Sequence, residues 1–344
     1  MLEINGDLCH NLLLDKQEKK LAFSEDKDYA TWRAELKDKL YELLGIDLIE
    51  KNACPLNFTI EEEVEFDTYK RIRFVFESEI GSLVPCYLLI PKNGQKKFPL
   101  AITLQGHSTG FHKSVGIAIY EGDEDYINTR GAFALQAVEN GYAALAIEQR
   151  AFGERATRVY KPGNAVMCGY QAFTAFHLGR TIIGERVWDV SKAIDAMSNF
   201  SDVVDLDKIL IAGNSGGGTA SFYAGIFDER IKLSAPSCSF CSYKTSIMPM
   251  YHCGCNYIPG ALRWFEMEDL SALIAPRPLV VFAGEKDPIF PIQGVKDSFA
   301  VVEKIYEKAG AKDKCRLVTH ERAHWWHTDI VWNTLNEEAK KLGW

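Results

Sequence analysis

Lys208-Ile209-Leu210-Ile211-Ala212-Gly213-Asn214-Ser215-Gly216-Gly217-Gly218 is the stretch whose reading decides the fold. Ile209 to Ala212 form an apolar run too brief for a helix and stopped abruptly by glycine, which reads as a buried strand. A Gly-x-Ser-x-Gly pentapeptide follows, then a helix through Phe227. At such a corner the serine is forced into an unusual backbone angle. Gly213 and Gly217 remove the β-carbons that would clash where strand and helix pass. The hydroxyl is then held clear of the sheet's edge, with the next amide and a helix N-terminus facing its reaction partner. An ordinary glycine-rich turn has the same letters; strand before and helix after favour a nucleophile, and the rest of the chain must supply its partners.

Outward from this corner the chain alternates. Leu100 to Leu104 and Tyr142 to Ile147 read as buried strands with a helix over 132–139 between them. Ile183, Val187, Val190, Ile194 and Met197 form a helical stripe before the Ser215 strand. Strands at 231–236, 278–283 and 315–319 follow, with helices near 295–306, capped by Gly310, and near 332–342. Strands alternating with helices imply a mostly parallel sheet covered on both faces, an α/β fold. Upstream, residues 61–90 alternate with period two (Ile72, Phe74, Phe76) and read as antiparallel strands turning at Ile80-Gly81. Trp32, Leu36, Leu40, Leu43 and Leu44 recur at helical spacing, and Gly45 ends the run.

With no internal repeat or low-complexity linker, the expectation is one domain over residues 1–344, with 1–60 as an N-terminal helical extension. Two irregular, aromatic and glycine-rich stretches, 151–180 and 237–270, interrupt the alternation. Both follow sheet strands and are expected to lie over the strand ends, where ligands bind in open α/β sheets.

The chain has 344 residues, 47% of them hydrophobic, and a net charge of −8. Mixed charge with no basic tract gives no sign of a nucleic-acid partner or an anionic membrane surface. No run has transmembrane length, and residues 1–20 lack a secretory pattern. Nine cysteines, an odd number, point to reduced thiols and a cytoplasmic home.

A serine hydroxyl needs a base, and the base needs an orienting acid. Gly284-Glu285-Lys286-Asp287-Pro288 follows a strand directly, making Asp287 the candidate acid and Glu285 the alternative. His320-Glu321-Arg322-Ala323-His324-Trp325-Trp326-His327 follows the last strand. His324 falls in the turn before the final helix, where a base could swing over Ser215; His320 ends the strand and His327 begins the helix. The chain order Ser, Asp, His is that of the α/β-hydrolases. Acyl transfer also needs oxyanion donors. The Gly216 amide is one, and the loop Gln105-Gly106-His107-Ser108-Thr109-Gly110 supplies the other, from His107 or alternatively Ser108.

These residues, with Arg150-Ala151-Phe152-Gly153-Glu154, resemble the α/β-hydrolase branch that includes acetyl xylan esterases and cephalosporin deacetylases, close to dienelactone-hydrolase-like proteins. The resemblance spans roughly residues 60 to 344. Members usually carry His-Gly where this chain has Gln105-Gly106, and Gly-His where it has Ala323-His324. Dienelactone hydrolases use a cysteine nucleophile, whereas position 215 is serine.

The resulting expectation is a cofactor-free serine hydrolase of carboxylic esters, with a small-molecule ester as its partner. The resemblance implies a small acyl group such as acetyl, on an acetylated sugar. A peptidase or amidase on the same triad, and a non-catalytic binding protein of the same fold, are the competing classes. Trp325 and Tyr251, from a rich aromatic supply around the strand ends, are candidate substrate contacts. Arg150 is expected to pin its loop by pairing with Glu154 or Glu148, and Arg180 and Arg186 to pair with Asp189. Cys238, Cys241, Cys253 and Cys255 form two close pairs; their spacing is unusual for structural zinc, so buried thiols and no metal are expected.

Overall fold

Both faces of the central strands are buried because each is a continuous apolar run, and such runs belong in a parallel sheet clad by helices. The computed structural model describes residues 4–157 and 168–344. Nine strands form one sheet: β1 (Thr59–Glu65), β2 (Tyr69–Glu79), β3 (Ser82–Pro91), β4 (Phe98–Leu104), β5 (Ala143–Ile147), β6 (Val204–Asn214), β7 (Ile231–Ser237), β8 (Leu279–Gly284) and β9 (Cys315–His320). Their spatial order is β1-β2-β3-β5-β4-β6-β7-β8-β9. The first three strands pair antiparallel, as does β3 with β5, and every pair from β5 to β9 is parallel. The carboxyl ends of β4, β6, β7, β8 and β9 therefore open on one edge.

The helices are α1 (Leu8–Lys16), α2 (Tyr29–Leu44), α3 (Ile46–Glu50), α4 (Asp123–Tyr126), α5 (Phe133–Glu139), α6 (Gly169–His177), α7 (Ile182–Ala196), α8 (Gly216–Phe227), α9 (Ile292–Lys308) and α10 (Thr328–Lys341). Alternate residues along one strand face opposite cores, as the two-residue period of a strand requires. Ile209 and Ile211 of β6 join α2, α7, α8 and α9, whereas Leu210 and Ala212 join α5 and α10. None of these helices is long and apolar enough to cross a membrane.

The N-terminal extension is structured by ordinary helix signals. Asp28 caps α2 by accepting the Thr31 amide at 2.9 Å, and Gly45, at φ 74°, ends it. Trp32, Leu36, Leu40 and Leu44 are buried along one stripe against the larger core. Burial of each such side chain contributes about 1.5–3 kcal/mol before entropy is counted. The irregular stretch from 151 holds a helix that the sequence reading did not flag, α6, whose buried residues are Ala172 and Ala175. The remainder of that stretch, 158–167, lies outside the described residues.

Candidate active site

Ser215 occupies the corner between β6 and α8 with φ 57° and ψ −126°. A side-chain-bearing residue at positive φ is strained and persists only where its surroundings fix it. Here its amide donates to the Ser237 carbonyl of β7 at 2.8 Å, and the Ser237 hydroxyl donates to the Asn214 side chain at 3.0 Å. A β-carbon on Gly213 would come 2.6 Å from the Gly217 carbonyl, so strand and helix touch backbone to backbone. Gly216 opens α8, and its amide has no partner within the helix.

Asp287 follows β8 and is buried. Its Oδ1 accepts the amides of Ile289 at 2.9 Å and Phe290 at 3.1 Å, and its Oδ2 lies 2.7 Å from His324 Nδ1. Glu285, the alternative acid, instead accepts from the Thr319 hydroxyl at 3.2 Å. His324 is the histidine of its segment that meets the acid. His320 is buried at the end of β9, with no hydrogen-bond partner for either ring nitrogen among the described residues, and packs against His327, which precedes α10. The His324 ring stacks on Phe290 at 5.9 Å, and its carbonyl accepts from Arg130 Nη1 at 3.1 Å.

The loop after β4 crosses directly over Ser215. A β-carbon on Gly106 would lie 3.0 Å from Ser215 Cβ and 2.9 Å from the Asn214 carbonyl oxygen. Beyond it the His107 ring covers Gly216, and Ser108 is buried with its hydroxyl 3.5 Å from the Gly110 carbonyl. Two buried acids hold this loop: Glu148, which the sequence suggested only as a partner for Arg150, and Asp123, to which it assigned no role. Glu148 Oε1 accepts from Gln105 Nε2 at 3.0 Å, and its Oε2 accepts the amides of Phe111 and Glu154, each at 3.3 Å. Burial pushes the Glu148 carboxyl up to about 8 despite those amide bonds. Asp123 accepts from the Thr109 hydroxyl at 2.6 Å and pairs with His112 Nε2 at 2.8 Å. Burial opposes its charge, but these bonds and the amides of Tyr120 and Ile119 hold it well below the usual carboxylate range. Glu148 reaches Gln105 and Phe111 across 43 and 37 positions, and Asp123 reaches Thr109 across 14, so no local motif marks these contacts.

The expected ion pairs are rearranged. Arg150 meets neither Glu154 nor Glu148; it forks onto Asp189 with both contacts at 2.9 Å, and reaches Glu79 at 2.6 Å. Glu154 pairs with Arg73 across the sheet. Arg180 pairs with Glu79 and Glu185, and Arg186 donates to the Arg150 carbonyl, so neither pairs with Asp189. The true partners belong to β2 and α7, whose meeting only the tertiary fold decides.

A cavity of about 520 Å³ lies between α6 and the 243–263 segment. Phe173, Phe176, Tyr243, Met248, Tyr251 and Tyr257 give it an apolar, aromatic wall. Triad candidates are not among its described lining residues, but His252 is, and the His252 ring packs on Phe290, which stacks on His324. The cavity thus adjoins the base through one aromatic residue. Tyr251 is an exposed part of its rim. Trp325 lies elsewhere, between the guanidinium groups of Arg130 at 3.9 Å and Arg322 at 4.9 Å.

The cysteines gather in an unexpected set. Cys253 and Cys255 meet Cys168 and His107, while Cys241 hydrogen-bonds with Thr245 and Cys238 lies near Asp287 and His324.

A nucleophile elbow on a parallel sheet, with an acid and a histidine supplied by the next strands in chain order, defines the α/β-hydrolase class. The chain belongs to the Abhydrolase family, whose model matches residues 6–338. It is 27% identical over 296 residues to the Bacillus subtilis (strain 168) protein named "Putative hydrolase YtaP", covering 85% of this chain and 94% of that one. Among solved structures it is similar to a Bacteroides fragilis NCTC 9343 protein described as a "putative acetyl xylan esterase". That match has a TM-score of 0.80 and 17% identity, and covers 98% of this chain and 96% of the other. A glucuronoyl esterase from Solibacter usitatus matches with a TM-score of 0.64 and 18% identity, covering 93% of this chain and 96% of its own.

Proposed function

We propose that this protein is a serine esterase that cleaves a small acyl group, acetyl first, from an acetylated carbohydrate. The observation that carries the reading is the His324–Asp287 contact of 2.7 Å after β8 and β9, on the same strand-end edge of the sheet as a serine held at φ 57°. In this mechanism Ser215 attacks the ester carbonyl while His324 Nε2 takes its proton and then gives it to the leaving alcohol. Asp287 keeps the imidazole proton on Nδ1 and stabilises the imidazolium. The Gly216 and His107 amides receive the oxyanion. Water, activated by the same histidine, releases the acyl group. The carbohydrate half is supported by an aromatic-walled cavity next to the base and by similarity to proteins described as carbohydrate esterases.

The test is hydrolysis of p-nitrophenyl esters of graded chain length, acetylated xylooligosaccharides and a methyl glucuronate ester, with Ser215→Ala and His324→Ala alongside. Acetate turnover that disappears in both variants is the expected result. Turnover of the glucuronate ester alone would move the substrate to uronic-acid esters. Turnover of aminoacyl amides alone would make the protein an amidase, and the absence of fluorophosphonate labelling at Ser215 would make it a binding protein.

A further inference from the structure

Three buried sulfurs and one imidazole nitrogen, from three places in the chain, converge between the loop over Ser215 and the wall of the cavity. Cys168 precedes α6, Cys253 and Cys255 flank Gly254, and His107 belongs to the loop after β4. Their four ligand atoms all lie within 4.8 Å of one another. Cys168, Cys253 and Cys255 are each buried. We infer that Cys168, Cys253, Cys255 and the Nε2 of His107 form a tetrahedral Cys3His site for zinc.

The distances already approach those of such a site. Zn–S bonds of about 2.3 Å and a Zn–N bond of about 2.0–2.1 Å at tetrahedral angles place sulfur and nitrogen roughly 3.6 Å apart. His107 Nε2 is 3.5 Å from Cys168 Sγ and 3.6 Å from Cys255 Sγ. Cys168 Sγ and Cys253 Sγ, 2.8 Å apart, would open to about 3.8 Å around the ion. Three thiolates around a divalent cation leave one negative charge, and burying it requires a counter-charge. Arg186, itself buried, supplies one. Its Nε and Nη2 donate to the Arg150 carbonyl, its Nη1 has no hydrogen-bond partner among the described residues, and the three sulfurs favour its charge against the cost of burial. Donors aimed at the sulfurs complete a second shell. The Cys168 amide donates to Cys253 Sγ at 3.1 Å, and Asn256 Nδ2 points to Cys255 Sγ at 3.9 Å.

Soft thiolates with imidazole in a closed tetrahedron select zinc over magnesium or calcium, and four protein ligands leave no open position for chemistry. The site is therefore structural. It would tie His107, whose ring covers Gly216, to Cys168 and Cys253–Cys255, which adjoin cavity-lining Gly169 and Gly254. The sequence reading paired Cys253 and Cys255 with Cys238 and Cys241 and expected no metal because their spacing is unusual for structural zinc; the fold brings Cys168 and His107 to them instead.

The test measures metal, so it is independent of ester turnover. Full-length protein is purified under reducing conditions without chelator, its zinc per chain is determined, and the zinc is exchanged for Co²⁺. About one zinc per chain is expected, together with tetrahedral d–d bands and a thiolate-to-Co²⁺ charge-transfer band. In Cys255→Ser, zinc content should fall at least about tenfold. If that variant does not fold, wild-type protein stripped by chelator and reloaded with Zn²⁺ or Co²⁺ gives the same reading. Folded wild-type protein that takes up neither ion overturns the site. So does a Cys168–Cys253 disulfide, seen as a mass two hydrogen atoms below that of the all-thiol chain, that persists in protein kept under reducing conditions and offered Zn²⁺.

Discussion

Oδ2 of Asp287 lies 2.7 Å from Nδ1 of His324, while Oδ1 of the same carboxylate is held by the Ile289 and Phe290 amides. The two amides fix which oxygen faces the imidazole. Asp287→Asn must keep its carbonyl oxygen on those donors, so its NH₂ turns toward Nδ1. The imidazole then places its proton on Nε2, where it can no longer accept one from Ser215. Turnover should fall by about 10⁴-fold, as when a triad acid becomes an amide, with little change in thermal midpoint. Steady-state kinetics beside a melting curve checks both parts, and undiminished kcat would remove Asp287 from the triad.

Gly106 is the point where the loop after β4 touches Ser215. In Gly106→Ala the new methyl would sit 2.9 Å from the Asn214 carbonyl oxygen and 3.0 Å from Ser215 Cβ. Backbone cannot yield as a flexible side chain can. The expected cost is about 1–3 kcal/mol of stability, and a displacement near 1 Å would lower turnover by about 10²-fold. Urea midpoints and kcat/KM measured on the same preparation separate the two effects.

Arg130 acts at one remove. It donates to the His324 carbonyl at 3.1 Å and stacks on Trp325 at 3.9 Å, holding the turn that carries the base. Arg130→Ala should reduce kcat by about tenfold with KM nearly unchanged, because only the positioning of the base is loosened. Arg130→Lys keeps the charge and part of the contact and should recover some of the loss. A rise in KM alone would instead make Arg130 a substrate contact.

Much of this architecture is written locally. The apolar runs of β4 through β8, the corner at Ser215 and the stripe ended by Gly45 each carry their own signal, and each forms where the local pattern puts it. The meeting of Asp287 with His324 was legible because chain order after successive parallel strands becomes spatial order at the sheet edge. What stayed hidden depends on residues far apart in the chain. Arg150 finds Asp189 and Glu79 rather than its near neighbours, and Cys168 joins Cys253 across 85 positions. Helix α6 turns Phe173 and Phe176 to a cavity and buries only Ala172 and Ala175.

Glu148 makes the stability of the fold depend on pH. Burial raises its carboxyl from the ordinary value near 4.3 to about 8, so the folded protein prefers it protonated. A proton on Oε1 can be accommodated there, since Gln105 Oε1 has no partner among the described residues and with that amide turned over it accepts from Glu148. A group whose folded pKa is raised stabilises fully below its unfolded value, and that contribution is lost as pH rises through the folded one. Between pH values of about 4.3 and 8, Glu148 should therefore lower stability by up to roughly 1.4 kcal/mol per pH unit. Glu148→Gln is isosteric, keeps the carbonyl for the Phe111 and Glu154 amides and gives Gln105 a permanent donor. Its urea midpoint should lie near that of the wild type at about pH 5 and exceed it at about pH 8. A wild-type midpoint that rises over that interval, or a variant destabilised equally at both pH values, would show that Glu148 is charged inside the fold.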